Sequence, residues 1–145
     1  MSAKTGAILL AEDDENDVFF MRRALRKAEI KLPLHVVCNG QEAMDYLSGT
    51  GKFGDRDHYP LPSLLLLDLK MPFADGFDVL RWIHSQSSLK EIPAVVLTSS
   101  SEERDRKKAK DLGAKGYFVK PPTTEMIQEI MQFVDGHGQN AATPA

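Results

Sequence analysis

Cysteine is nearly absent from this chain: Cys38 is the only one among 145 residues, which excludes an internal disulfide framework and any metal site built on several thiolates. That single thiol reads as a small buried hydrophobe on a strand. Long hydrophobic runs are missing too. No apolar stretch approaches the roughly 20 residues needed to cross a bilayer. The N-terminal run Ala7–Ala11 ends in acids rather than in a small-residue cleavage site. No membrane association is expected, and the cytoplasm is the expected location. Neither sign of charge dominates, because 18 basic and 21 acidic residues leave a net charge of -3. That balance is too small and of the wrong sign for a nucleic-acid surface. The basic run Arg104–Lys110 is interleaved with other residue types and reads as a solvated helix face. His35, His58, His84 and His137 are scattered and suggest neither a metal set nor a phosphohistidine.

What is present is the composition of a globular domain: hydrophobic residues make up 42% and charged residues 27%, which excludes disordered, collagen-like and disulfide-stapled classes. Short apolar runs alternate with helix-like patterns along the chain, the signature of helices packed on both faces of a parallel sheet. The expected strands are Ile8–Ala11, Leu34–Cys38, Leu64–Asp68, Ala94–Thr98 and Gly116–Lys120. Between and after them, helices are expected over about Asp17–Ala28, Gln41–Leu47, Gly76–Ser85, Glu102–Leu112 and from Thr123 or Thr124 onward. Asp14 to Asp17 offer capping side chains for the first helix, and Asp14 itself is read as a cap. Phe77, Leu80 and Ile83 are the expected inward residues of the third helix, and Met126, Ile127, Ile130, Met131 and Val134 those of the fifth. The fold class is therefore α/β, with one five-stranded parallel sheet, doubly wound in the flavodoxin-like (βα)5 manner. One domain is expected over residues 6–135, with a flexible tail at 136–145.

The connection from Ser48 to Ser63 is long and contains Gly49-Thr50-Gly51-Lys52-Phe53-Gly54. This matches G-x-G-x-x-G formally, but the glycines follow a helix and are followed by Pro60 and Pro62 rather than by a phosphate-cradling helix. A partner contact or a tolerated loop are the readings left open for it.

Chemistry concentrates where the apolar runs stop. Glu12 and Asp13, Asp68, Thr98 and Lys120 each sit at the carboxyl end of one run, the edge of an open parallel sheet where ligands bind. Convergence there would gather three carboxylates, a hydroxyl and an ammonium. Carboxylates about 4 Å apart repel by roughly 4 kcal/mol per pair at an effective dielectric near 20, so three together imply a bound cation. Magnesium is the cation expected.

Taken in order, Glu12-Asp13, the segment Leu65–Pro72 with Asp75-Gly76 behind it, Thr98-Ser99 and Tyr117–Pro121 resemble the receiver domain of two-component response regulators. Length and the Ser48–Ser63 connection are similar to the single-domain subgroup paired with phytochrome-type kinases. The resemblance implies that Asp68 is the nucleophile that accepts a phosphoryl group from a sensor histidine kinase, here one of phytochrome type. It implies Mg²⁺ held by Asp13, Asp68 and the backbone carbonyl of Lys70, with Glu12 acting through coordinated water. Lys120 would contact the phosphoryl group, next to a cis peptide bond to Pro121. Thr98 and the N–H of Ser99 would be drawn to it, and Tyr117 would follow as a switch. Lys70 and Ser100 would flank the approach of hydrolytic water. Output would be contact with a downstream protein or transfer to a histidine phosphotransfer protein, by a monomer or by a homodimer formed through the fourth helix, fifth strand and fifth helix.

Two other functions use similar residues. An aspartate-nucleophile phosphatase needs a second acid two residues after its nucleophile, where this chain has Lys70. A pseudo-receiver, used only as an interaction module, would not need all five site positions filled.

Overall fold

A computed structural model describes residues 6–134, so the expected tail at 136–145 lies outside the described residues. Five strands, β1 (Ile8–Ala11), β2 (Leu34–Val37), β3 (Leu64–Leu67), β4 (Ala94–Thr98) and β5 (Gly116–Val119), alternate with five helices. The helices are α1 (Glu15–Lys27), α2 (Gly40–Ser48), α3 (Gly76–His84), α4 (Glu103–Asp111) and α5 (Thr124–Met131). All strand pairings are parallel and the order is β2-β1-β3-β4-β5, the doubly wound sheet expected. Among the described residues no helix is long and apolar enough to cross a membrane.

Side chains alternate between the faces of a strand, so residue parity sorts the core into two. Leu9, Leu65, Leu67 and Val96 face Ala43, Leu47, Val79, Leu80 and Ala109 of α2, α3 and α4. Ile8, Leu10, Leu64, Leu66, Val95 and Leu97 face Met21, Leu25, Ile127, Ile130 and Met131 of α1 and α5. β1 and β3 are buried on both faces, as their unbroken apolar runs require of central parallel strands.

Two local expectations are overturned. α1 starts at Glu15, not Asp17, because the Asp14 carboxylate accepts from the N–H groups of Asn16 and Asp17 and caps the helix there. Cys38 is exposed, not buried: β2 stops at Val37, and the Cys38 N–H donates to Glu42 Oε1 at 2.7 Å, which draws the chain into the first turn of α2. Phe77 packs half-buried against the core as an inward residue of α3, with Lys108 Nζ 4.4 Å from its ring centroid, and Val79 joins it in the core.

The long connection is folded rather than loose. A 3-10 turn spans Gly51–Gly54 and buries Phe53 against Tyr46 and Tyr59. Arg56 donates to the carbonyls of Tyr46, Leu47 and Tyr59 at 2.9, 3.0 and 3.1 Å, satisfying the C-terminal end of α2. Arg56→Ala should therefore lower unfolding stability by about 1–3 kcal/mol, read as a lower denaturation midpoint at unchanged slope. An unchanged midpoint would make the insertion an ornament.

Candidate phosphoacceptor and metal site

The carboxyl ends of β1, β3, β4 and β5 carry the chemistry into one crevice. Glu12 and Asp13 follow β1, Asp68 follows β3, Thr98 ends β4 and Lys120 follows β5. Backbone bonds hold these tips in register: the Asp68 N–H donates to Ala11 O at 3.2 Å and the Lys120 N–H to Thr98 O at 2.8 Å. Behind Asp68, α3 begins so close that a Cβ on Gly76 would lie 2.4 Å from the Asp68 carbonyl oxygen. Only glycine permits that approach, and it fixes the backbone from which the Asp68 side chain extends.

Glu12, Asp13 and Asp68 each place a carboxylate oxygen within 4.8 Å of the others. Glu12 and Asp68 are buried, at 3% and 7% exposure, and Asp13 opens to solvent. Hard oxygen donors in this arrangement, one side open, suit a divalent cation that keeps several waters. Burial pushes the Glu12 carboxyl up from 4.5 to about 7, and the nearby Asp68 charge adds to the rise, against the lowering effect of Lys120.

Lys120 is the one cation inside the cluster among the described residues. Its Nζ donates to Glu12 Oε1 at 2.8 Å, to Asp17 Oδ2 at 2.6 Å and to Asp68 Oδ2 at 3.1 Å. Burial alone would lower its pKa, but bonds to Asp17, Glu12 and Asp68 outweigh it and raise the value above that of a free lysine. The Lys120–Pro121 bond is cis, in agreement with the resemblance.

Asp17 is the member that sequence reasoning missed. Its place in the Asp14–Asp17 run suggests a cap, yet it sits in the first turn of α1. Helical side chains tilt toward the N-terminus, so a residue one turn past Asp13 points back at the strand tips. That i+4 spacing was the available signal.

The remaining expected residues lie around the rim. Thr98 is fully buried, and the Ser100 N–H approaches its Oγ1 at 3.4 Å. Ser99 is exposed. The Ser100 hydroxyl donates to Asp105 Oδ2 at 2.7 Å, tying the loop to α4. Tyr117 is half-buried, its hydroxyl donating to Ser100 O at 2.9 Å, with the Arg106 guanidinium 4.6 Å from its ring centroid. The Lys70 side chain is exposed, and its N–H lies 3.4 Å from Asp68 Oδ1. The glycine-rich segment in the long connection has a structural place: Gly49 caps the C-terminus of α2 in the left-handed region, and Gly51 and Gly54 bound the 3-10 turn.

A chain with this sheet and this crevice has many relatives. Residues 8–132 match the response regulator receiver domain. Response regulator Rcp1 of Synechocystis sp. is 33% identical over 89% of this chain and 84% of its own length. A structure of Rcp1 in its Mn²⁺-bound form superposes with a TM-score of 0.77 at 33% identity, over 90% of this chain and 96% of that one. The response regulator RPA3017, in red light signaling of R. palustris, gives 0.83 at 29% identity, over 91% and 95%. The phosphorylated cyanobacterial phytochrome response regulator RcpA gives 0.77 at 32% identity, again over 91% and 95%. Match length, identity and superposition agree with the crevice just described: this chain belongs to the response regulator receiver domain family.

Proposed function

We propose that this protein receives a phosphoryl group on Asp68 from a sensor histidine kinase of the phytochrome type, in a Mg²⁺-dependent reaction, and signals by the change of shape that follows. The observation that carries the reading is Asp68 itself, buried at the tip of β3 within reach of the Glu12 and Asp13 carboxylates and hydrogen-bonded by the Lys120 ammonium. The phytochrome assignment is supported by the names of the relatives, RcpA among them.

Asp13, Asp68 and the backbone carbonyl of Lys70 would hold Mg²⁺, with Glu12 behind them. When bound, the ion neutralises the acidic cluster and the charge developing on the transferred group. The chain's own residues do the rest. One Asp68 oxygen attacks phosphorus, forming the O–P bond as the bond to the donor's histidine nitrogen breaks. Lys120 donates to Asp68 Oδ2 at 3.1 Å, and an N–H group released from that carboxylate would turn to a phosphoryl oxygen. The donor nitrogen departs with its electron pair and is protonated from water.

Signalling uses Thr98, Ser99 and Tyr117. A phosphoryl group adds about 1.5 to 2 negative charges, which would attract the Thr98 hydroxyl and the Ser99 N–H. Their movement displaces the loop whose Ser100 carbonyl now accepts from the Tyr117 hydroxyl, and so shifts the α4–β5–α5 face toward a downstream protein, a histidine phosphotransfer protein or a second copy. Phe20 on α1, 44% exposed, lines a groove with Pro121 and Pro122, and Phe19, 58% exposed, packs edge-on against its ring; this apolar rim suits a helical kinase surface.

Incubation with acetyl phosphate and Mg²⁺ should label the peptide carrying Asp68 at one phosphoryl group per chain, and chelator should stop it. Sustained turnover of small phosphoesters would instead reveal a phosphatase.

A further inference from the structure

We infer that Asp17 is a positioning residue that anchors the Lys120 ammonium over Asp68, an inference that rests on the role proposed for Asp68 and Lys120. Lysine carries three N–H donors and no acceptor, and here every donor meets a carboxylate. Two of those partners have other work. Glu12 and Asp68 belong to the cation cluster, and Asp68 is also the reacting group. Asp17 stands outside that cluster, and its carboxylate makes one hydrogen bond among the described residues, to Lys120.

It is also the closest of the three partners, at 2.6 Å against 2.8 and 3.1 Å. Lys120 needs such an anchor. It extends from β5 at the sheet edge, two strands from the β3 tip that carries Asp68, on a flexible four-carbon stem. The anchor itself is rigid, because Asp17 lies in the first turn of a capped helix. A cation held by Asp13 and Asp68, with Glu12 behind them, would compete for the two carboxylates that Lys120 shares with the cluster, and Asp17 is the partner that Lys120 keeps.

The test compares labelling by acetyl phosphate in wild type, Asp17→Asn, Asp17→Ala, Lys120→Gln and the Asp17→Ala/Lys120→Gln double variant across a Mg²⁺ titration. Misplacing a catalytic group slows chemistry rather than metal binding. Asp17→Ala should therefore label about tenfold more slowly at saturating Mg²⁺ while the Mg²⁺ midpoint moves less than about threefold. Asp17→Asn, whose amide oxygen still accepts from Nζ, should stay within about threefold of wild type. In the Lys120→Gln background the Asp17→Ala change should have no further effect. In metal-free protein, the Lys120 ammonium resonance should exchange faster with water in Asp17→Ala than in wild type.

Wild-type rates in Asp17→Ala would overturn the inference, as would an Asp17→Asn as slow as Asp17→Ala or an equal slowing in the Lys120→Gln background. A wild type that takes no label on Asp68 would remove the functional reading and this inference together. A labelled wild type with an unimpaired Asp17→Ala removes only the anchor.

Discussion

Asp68→Asn should lose phosphoryl labelling by a factor on the order of a thousand or more, because the amide replaces the attacking carboxylate. The same substitution should make the metal-free protein more stable. Asp68 is buried beside Glu12 and close to the exposed Asp13, and a like-charge pair at about 4 Å repels by roughly 1 kcal/mol in water and 4 kcal/mol near a protein surface. Removing one charge relieves part of that. By the same arithmetic the variant should bind Mg²⁺ at least about tenfold more weakly. An inert protein that melts higher without metal and gains less from adding it would separate lost chemistry from lost folding. Labelling that survives in Asp68→Asn would place the acceptor elsewhere.

Lys120→Gln should destabilise the metal-free protein by about 3–5 kcal/mol at pH 8, the cost of breaking a buried charge pair from one side. Among the described residues it removes the one cation that touches Glu12, Asp17 and Asp68. The loss should shrink toward pH 5, and the sign follows from two raised pKa values. Glu12 is raised by burial to about 7 from 4.5, so its contribution to stability is complete below pH 4.5 and is lost as pH rises through 7. Lys120 is raised by its carboxylate partners, so its contribution holds across this whole range and fades only above the ordinary lysine pKa. At pH 5 Glu12 carries a proton and needs no counter-ion; at pH 8 it is charged and depends on Lys120. Wild type without metal should likewise lose stability between about pH 5 and pH 8. Mg²⁺ should restore both proteins at pH 8 and do little at pH 5, where protons compete for Glu12. Thermal melts over pH 5–8 with and without Mg²⁺ check this, and a Lys120→Gln deficit independent of pH would contradict it.

The strand tips were readable because each lay at a boundary that burial enforces. Leu64–Leu67 can only be a central strand, and the charged residue after such a run must emerge at the sheet edge. Glu12, Asp13, Asp68, Thr98 and Lys120 were placed together on that ground. Cys38 was misread because a strand end and a helix start compete for the same residue, and the Glu42 side chain decided between them. The insertion at 48–63 stayed open because its order comes from Arg56 reaching three carbonyls and from aromatic packing onto Tyr46, contacts with no periodic trace in the sequence.

By itself, the order of residues determined the α/β alternation, the two-faced core and the identity of the acidic crevice, since hydrophobic period and strand ends are local properties. Only the tertiary structure decided which carboxylate Lys120 holds most closely. Asp17 and Lys120 are 103 positions apart, and their meeting depends on how α1 is capped, tilted and packed beside the sheet. Local pattern carries no information about such an angle; the packing of two layers does.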